Sequence, residues 1–563
     1  MKMIAGIRHS TRNFQRHILA VVLLFAPLVS NLPRAISQQI YSEINSAQEF
    51  ISSNLPVLVI DTFGKNIQNN TRVTVHLGVI DNSVGRNALT DPFNNYDGLI
   101  NIEIRGSSGQ WQNWPKKQYG FETCDSSGNN LNVALLGLPA ENDWILYPPY
   151  SDKSMIRNIL AYRFARDMGR YASRTRLCEL VVNGDYRGVY VLLEKIKRDK
   201  RRVDIAELQP DDNNGDQLTG GYIIKVDREA GEENDGWVSP YSLKPDRLNM
   251  KYLFHYPKPG DISPAQQEYI INYITAFETL MNQNDWQLYY REYLDIDSFI
   301  DFWIISEFTK NVDSFSLSTF LYKDKNSKDK RLVMGPVWDF NLGFGNVNYY
   351  EGELTSGFIL DRKVQLVDKI PAWCKNLDQD PEIRKMFAER WHDLRGSVLA
   401  PARINSLIDS LTTVLDEAQA RNFNRWPILG QYVWPNNYVG HSYAEEINYL
   451  KNWIRQRCDW LDQETEIYTE IAQTPPNHYH LVTIYPNPFN ESAIIDYHLL
   501  KSSRVQISVY DVLGRLVSTL LDEEKAAGDY QVNFTATDLA GGIYFVRVTG
   551  GGQYSIARMT CVK

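Results

Sequence analysis

The chain has 563 residues, and at roughly 100 to 200 residues per domain this length predicts several domains and excludes a lone small binding module. Hydrophobic residues make up 43% of the chain and aromatic residues 12%, which is too much for an intrinsically disordered protein. The formal net charge of −9 offers no general attraction to a phosphate backbone, so we expect no nucleic-acid partner.

The N-terminus has the layout of a secretory signal peptide. Three arginines precede the apolar run at residues 18–29, which is too short to span a bilayer core of about 30 Å. Ala35 and Ser37 satisfy the small-x-small rule for cleavage after Ser37, and an uncleaved N-terminal anchor is the alternative. Since no later segment is apolar enough to cross a membrane, we expect export and a mature chain without a transmembrane segment.

The cysteines leave the redox chemistry open. All five lie beyond the predicted signal, are widely spaced and show no zinc-binding pattern. One or two disulfide bonds are compatible with an exported chain, but the spacing does not decide which cysteines would pair.

Strand patterns dominate residues 55–260. The clearest is a hairpin, because Asn183-Gly184 is a dipeptide that a type I′ turn favours and strand-like runs flank it at 177–182 and 185–193. Gly, Asn and Asp clusters separate the other predicted strands, which are 57–60, 73–80, 99–104 and 119–121.

Helical patterns interrupt the strands and then replace them. A helix capped by Ser151 or Asp152 carries apolar side chains every four residues and ends before Gly169. A second helix begins with a capping box at Ser263. The segment 299–308 is apolar on nearly every side, as expected of a helix surrounded by core. Further amphipathic helices, to which we assign no function, are predicted within 381–462.

The C-terminal part returns to strand periodicity. Residues 466–480 are mostly polar and contain Pro475-Pro476, which predicts an exposed linker. Beyond it, residues 481–563 alternate apolar and polar positions at the spacing of a small Ig-like β-sandwich. The predicted strands of this domain are 493–499, 504–510, 530–534 and 542–548.

Two aspartates stand directly after predicted elements. Asp313 follows the buried helix, and Asp339 follows a predicted hairpin with strands at 319–322 and 331–334. Protein kinases use this order: the first aspartate accepts or orients the hydroxyl proton, and the second, in an Asp-Phe-Gly segment, holds magnesium against the nucleotide phosphates. Here Asn341 stands in place of the glycine.

Phosphoryl transfer also needs a cation near the phosphates. The glycine-containing loop from Arg105 to Gly109 leads to Lys117 and predicts a backbone cradle followed by a lysine. Glu194 is the candidate ion-pair partner of that lysine. Each of these residues is also common at purely structural positions, so the order of the pieces, rather than any single piece, favours a kinase.

Several motifs together resemble the spore-coat CotH family of atypical kinases. The resemblance covers residues 55–345, extends through the Trp-rich helices to Thr465, and rests on Ile104-Arg105-Gly106-Ser107, Pro115-Lys116-Lys117-Gln118-Tyr119, Ser151-Asp152-Lys153-Ser154 with Arg157-Asn158, Asn183-Gly184-Asp185-Tyr186 with Gly188-Val189-Tyr190 and Glu194-Lys195, and Trp338-Asp339-Phe340-Asn341.

The resemblance implies a role for individual residues and a need for ATP and Mg²⁺. Asp339 matches the magnesium-binding aspartate of the family, with Asn341 beside it, and Asp313 matches the catalytic-loop aspartate. The residues that the resemblance places at the nucleotide are Lys117, as the phosphate-contacting lysine, with Arg105, Arg157 and Glu194. Ser318 stands where kinases often carry a second metal-binding asparagine, which argues against a second metal ion.

The C-terminal motifs resemble the type A sorting domain of the type IX secretion system of Gram-negative bacteria. They are Tyr485-Pro486-Asn487-Pro488-Phe489-Asn490, Tyr510-Asp511 with Gly514-Arg515, and Gly541-Gly542-Ile543-Tyr544-Phe545. This resemblance implies passage through the periplasm to the outer cell surface or the medium, with the type IX machinery as a partner.

These patterns predict an α+β protein with an atypical kinase-like catalytic domain, a helical extension and an Ig-like β-sandwich. The predicted division is a signal peptide at 1–37, a kinase-like domain at 38–365, its extension at 366–465, the linker, and the sorting domain at 481–563. The predicted reaction transfers the γ-phosphoryl group of ATP to Ser or Thr hydroxyls of surface or secreted proteins. The alternatives are a catalytically inactive kinase-fold binding or structural protein and, more weakly, a hydrolase of surface polymers.

Overall fold

The chain divides into two compact units between Thr465 and Glu466. The predicted signal peptide and part of the predicted glycine-containing loop lie outside the described residues. The computed structural model describes residues 50–106, 113–228, 235–241, 250–361, 369–473, 483–499, 502–512, 514–536, 539–550 and 553–563.

Seven strands of the first unit close into a barrel. Their order is β2-β3-β5-β6-β7-β9-β8, and β2 closes the barrel by pairing in parallel with β8. The predicted hairpin is confirmed, because Asn183 and Gly184 have φ angles of 52° and 79° between β8 and β9. Apolar side chains such as Trp144 and Tyr190 fill the interior. The strands are β2 (Val57–Asp61), β3 (Val73–Ile80), β5 (Tyr96–Ile104), β6 (Tyr119–Cys124), β7 (Asp143–Tyr147), β8 (Thr175–Val182) and β9 (Asp185–Glu194), and a small separate pair is formed by β1 (Ser52–Ser53) and β4 (Asn87–Ala88).

A five-stranded antiparallel sheet follows the barrel along the chain. Its order is β11-β12-β10-β13-β14, so that β10 lies at the centre and pairs with β12 and β13. The predicted hairpin before Asp339 is confirmed as β13 and β14. The strands are β10 (Tyr222–Val226), β11 (Gly236–Val238), β12 (Lys251–Tyr256), β13 (Thr319–Lys323) and β14 (Leu332–Met334).

Helices pack around these sheets. The capping box at Ser263 is confirmed. The Ser263 hydroxyl accepts a hydrogen bond from the Gln266 amide, and the Gln266 side chain accepts one from the Ser263 amide. The helix predicted to begin at Ser151 or Asp152 starts later, at Arg157, because the Asp152 carboxylate stabilises a turn before the helix instead. The helices are α1 (Arg157–Asp167), α2 (Gly215–Leu218), α3 (Pro264–Met281), α4 (Ile296–Thr309), α5 (Ala372–Gln379), α6 (Pro381–Arg395), α7 (Pro401–Arg425) and α8 (Tyr443–Gln473), with short 3₁₀ turns at Trp286–Leu288 and Tyr290–Glu292.

The C-terminal helices share one core with the five-stranded sheet. Helix α4 is buried along its length, and its Trp303 ring lies 4.4 Å from the ring of Phe387 in α6. The predicted helical extension is therefore part of the same structural unit. Helix α8 continues into the predicted linker up to Gln473, because no proline or glycine interrupts it before Pro475. The rest of that predicted linker lies outside the described residues.

From Thr483 onward the second unit contains only strands as regular elements in its described residues, which agrees with the predicted β-sandwich. Its two sheets have the orders β15-β16-β19 and β18-β17-β20-β21, and apolar side chains from both form one core. The structure adds β15, β18 and β21 to the four predicted strands. The strands are β15 (Thr483–Tyr485), β16 (Ser492–Leu499), β17 (Ser503–Asp511), β18 (Leu516–Lys525), β19 (Gly528–Thr535), β20 (Gly542–Gly550) and β21 (Gln553–Cys561).

The cysteines do not pair. All five lie in the described part of the chain, where each is buried and carries a free thiol. The disulfide bonds that the sequence left open are therefore absent among these residues. Within the same ranges, no helix has both the length and the apolarity that a bilayer crossing requires.

Candidate active site

A cleft of about 560 Å³ collects four of the seven predicted site residues. Its walls come from barrel strands β7 and β9, strand β10, helix α1 and the loops that follow α4 and β14. The predicted residues that line it are Arg105, Asp313, Asp339 and Asn341.

Asp313 reaches the cleft on a tight turn after α4. The helix ends at Lys310, whose φ of 46° lies in the left-handed region. The amides of Ser314 and Leu317 donate to the carbonyls of Asn311 and Asp313 at 3.0 and 2.8 Å. These bonds hold the turn that carries the carboxylate, close to the buried end of a rigid helix.

Asp339 is held from behind by α1. Its amide donates to the Tyr162 hydroxyl at 3.0 Å, and the next amide, of Phe340, donates to Asn158 Oδ1 at 2.7 Å. Asn158 and Tyr162 lie on the same face of α1 because they are four residues apart. Asp339 has a φ of 60°, which is uncommon for a non-glycine residue and is tolerated where surrounding contacts impose it.

The surroundings of Asp339 make its ionisation unfavourable. Burial raises the pKa of Asp339 to about 7, and the negative charges of Asp313 and Asp227 add to this effect. Arg105 and Arg228 oppose it. Because the pKa is raised from its ordinary value of 3.8 to about 7, the free energy of unfolding falls as the pH rises between these two values, and binding of a cation would relieve this cost.

Arg105 brings positive charge from the barrel. It follows β5, and its side chain lies against Gly120, where an added Cβ would stand 3.1 Å from Arg105 Cδ. Burial lowers the pKa of Arg105, while the carboxylates of Asp143, Glu103 and Asp339 act in the opposite direction. The missing side chain at Gly120 therefore leaves room for a guanidinium that is electrostatically linked to Asp339.

Sequence reasoning missed a charged group at the end of β10. Lys225, Asp227 and Arg228 line the cleft, and Lys225 Nζ donates to Asp227 Oδ2 at 3.0 Å. The sequence contains a signal for this group, because charged residues directly follow the apolar run Tyr222-Ile223-Ile224, which forms part of a central strand. Charges in such a place need a partner or a function.

Three predicted residues do not line this cleft. The Glu194 carboxylate is fully buried and pairs with Arg174 at 2.9 Å and Arg202 at 3.2 Å, rather than with a lysine of the cleft. Arg157 is buried and donates to Asp152 Oδ1 at 2.6 Å. Lys117 is absent from the residues that line the cleft. Their ion-pair partners explain why Glu194 and Arg157 are drawn away from it.

Arg157 belongs to a buried polar turn that supports α1. The Asp152 carboxylate accepts the amides of Ser154 and Arg157 at 3.1 and 2.9 Å, in addition to the Arg157 guanidinium. Asn436 and Asn346 donate to the Ser151 carbonyl at 2.7 and 3.5 Å. The turn thereby fixes the start of the helix from which Asn158 and Tyr162 hold the Asp339 loop.

The donor set of the cleft fits one magnesium ion held jointly with a substrate. Among the described residues, no group of three or more His, Cys, Asp or Glu side chains has an arrangement that would hold a metal ion. Mg²⁺ usually binds one or two protein carboxylates and takes its other ligands from water and substrate phosphates. Asp339 and the neighbouring Asn341 side chain provide oxygen ligands of this kind.

Comparison with known protein families identifies both units. Residues 102–461 match the family described as CotH kinase protein, and residues 483–563 match the secretion system C-terminal sorting domain. The first match covers more than half of the chain, so the chain belongs to the CotH kinase protein family. No curated protein shows significant similarity to it. The family suggests a nucleotide-using enzyme, and the sorting domain implies the type IX secretion machinery and a secreted or surface location.

We predict that Arg157 contributes stability through its buried ion pair. In Arg157→Met the Asp152 carboxylate stays buried without its cation, so the free energy of unfolding should fall by about 3 to 5 kcal/mol. Arg163→Met is the matched control on the same helix, because Arg163 is 48% exposed and pairs with Asp167; its loss should cost about 0.5 kcal/mol or less. Urea denaturation measures both, and equal losses would contradict the role given to Arg157.

Proposed function

We propose that this protein is a secreted atypical kinase that transfers the γ-phosphoryl group of ATP to Ser or Thr hydroxyls of surface or secreted proteins. One observation carries the proposal. Asp313 and Asp339 come from separate loops and line the same cleft, together with Arg105 and Lys225. Phosphoryl transfer requires carboxylates for the metal and the acceptor hydroxyl and cations for the phosphates.

The two aspartates have different roles in this proposal. Asp339, with Asn341, holds a magnesium ion, which when bound neutralises charge on the phosphates. The cost of ionising Asp339 beside Asp313 and Asp227 supports this role, because a bound cation removes that cost. Asp313 orients the acceptor hydroxyl and accepts its proton as the phosphoryl group is transferred.

The cations of the cleft bind the phosphates. Arg105 and Lys225 line the cleft from different elements: Arg105 follows barrel strand β5, and Lys225 lies on β10. Lys225 therefore takes the role that the sequence suggested for Lys117, since it lines the cleft and is already held by Asp227. Arg157 and Glu194 act as scaffold residues through Asp152, Arg174 and Arg202, and these ion pairs support that assignment.

We also propose a kinase-like architecture for the first unit. The barrel, strand β10, helix α1 and the loops after α4 and β14 all contribute residues to the cleft. The proposed kinase-like domain spans 38–365, and helices of its proposed extension at 366–465 pack into the same core, which supports treating the two together. The remaining proposed boundaries are the signal peptide at 1–37, the linker at 466–480 and the sorting domain at 481–563.

A binding protein that keeps the fold without catalysis is the second candidate. Ser318 lines the cleft where a second metal-binding asparagine is common in kinases. Export also takes the chain away from cytoplasmic ATP, so an active enzyme needs extracellular nucleotide or must act before export. Magnesium-dependent nucleotide binding and turnover separate the two candidates.

We predict that substitution of the two aspartates affects ATP affinity differently. Asp339→Asn removes an anionic ligand of magnesium, so ATP affinity in the presence of Mg²⁺ and turnover should both fall. Asp313→Asn should keep ATP affinity and lower turnover by about 100-fold or more, because its contribution is made in the transition state. Calorimetric titration and transfer of labelled phosphate measure the two quantities.

Asp97→Asn serves as the surface control, since Asp97 is 63% exposed on β5, and it should change neither quantity. If the wild type binds no ATP in the presence of Mg²⁺, the catalytic proposal fails and the binding protein takes its place. Equal loss of binding in both aspartate variants would refute the separate roles.

We predict that the second unit directs export. A chain that ends at Gln473 keeps the whole first unit and should fold, because the division lies between Thr465 and Glu466. Without the sorting domain it should accumulate in the periplasm. Immunoblots of periplasmic, surface and medium fractions measure its location, and thermal unfolding checks its fold. A truncated chain that reaches the medium at the normal level would disprove the sorting role.

A further inference from the structure

The C-terminal end of α4 anchors both aspartate loops. Asn311, directly after the helix, donates through Nδ2 to the Asp339 carbonyl at 3.4 Å. The amide of Phe344, beyond Asp339, donates to the Thr309 carbonyl at 2.6 Å. The relative placement of the Asp313 and Asp339 loops therefore depends on how this end of α4 is held.

A fully buried ion pair lies at the last turn of α4. Glu307 Oε2 and Arg457 Nη2, from α8, are 3.0 Å apart, and both side chains are 0% exposed. The same carboxylate accepts the Ile359 amide at 2.9 Å and Trp303 Nε1 at 3.2 Å. The Glu307 carboxylate therefore accepts hydrogen bonds from one cation and two neutral donors.

The Arg457 guanidinium joins three segments of the chain. Besides the carboxylate, it donates from Nε to the Glu307 carbonyl at 2.8 Å. Its Nη1 donates to the carbonyls of Thr355 and Gly357 at 3.0 and 2.9 Å. One planar side chain therefore fixes the last turn of α4 against α8 and against the segment that follows the Asp339 loop.

We propose that Arg457 is a positioning residue for phosphoryl transfer. It does not line the cleft and acts through Glu307, holding the end of α4 so that Asp313 and Asp339 keep their productive separation. The inference rests on the proposed kinase function. A small misplacement of reacting groups lowers the rate strongly, so loss of this pair should lower turnover even in molecules that stay folded.

A double variant separates positioning from stability. Glu307→Met with Arg457→Met in the full chain replaces the pair with apolar side chains and removes every donor of the guanidinium. The unfolding temperature should fall, because the carbonyls of Glu307, Thr355 and Gly357 lose their donors. Turnover measured well below that temperature, where the variant is folded, should fall by about tenfold to 100-fold with an unchanged KM for ATP. Arg457→Lys keeps a cation but not the planar set of donors, so its turnover should be intermediate.

Arg455→Met is the matched control on α8, because Arg455 is 62% exposed and its ion pair among the described residues is with Asp459, one turn further along the helix. It should leave turnover and KM unchanged. Full turnover in the folded double variant would overturn the inference. If the double variant does not fold, Arg457→Lys decides in its place, and wild-type turnover there would overturn the inference equally.

Hydrogen exchange provides a readout that does not need kinase activity. In the double variant, peptides covering 311–317 and 340–346 should exchange faster than in the wild type, while the barrel hairpin β8–β9 should be unchanged. If the wild type transfers no phosphate, the proposed function fails, but this comparison still tests the anchoring. Unchanged protection of both loops would overturn the inference.

Discussion

Two carboxylates of like charge face one cleft, and holding them there is the constraint on which the rest of the site depends. Burial and repulsion from Asp313 and Asp227 raise the pKa of Asp339 to about 7, so the folded chain maintains an arrangement that is unfavourable when ionised. Helix α1 holds one loop through Asn158 and Tyr162, and the end of α4 holds both. This cost is offset by packing elsewhere, and a bound cation would relieve it.

Four charged residues of the first unit occupy two different kinds of position. Arg105 and Lys225 stand at the cleft with the aspartates, where their charges are available to a polyanionic ligand. Arg157 and Glu194 are buried in ion pairs that position backbone segments. Proximity in the sequence does not distinguish the groups, since Asn158 lines the cleft and its neighbour Arg157 does not.

Local signals predicted much of the fold and the two aspartates. The Asn183-Gly184 turn, the capping box at Ser263 and the all-apolar helix α4 are determined by neighbouring residues, so the sequence indicates them directly. Asp313 and Asp339 were predictable because each follows such an element. Closure of the barrel through β2 and β8 was not predictable in this way, since it joins segments far apart in the chain.

Long-range contacts also explain the residues that sequence reasoning misplaced or missed. Glu194 resembles the partner of a lysine until the fold brings Arg174 and Arg202 to it, and Lys225 joins the cleft only once β10 lies at the centre of its sheet.

The most direct test is a structure of the chain with Mg²⁺ and a non-hydrolysable ATP analogue. We expect magnesium on Asp339 and phosphate oxygens at Arg105 and Lys225, and a nucleotide bound away from this cleft would refute the proposed function.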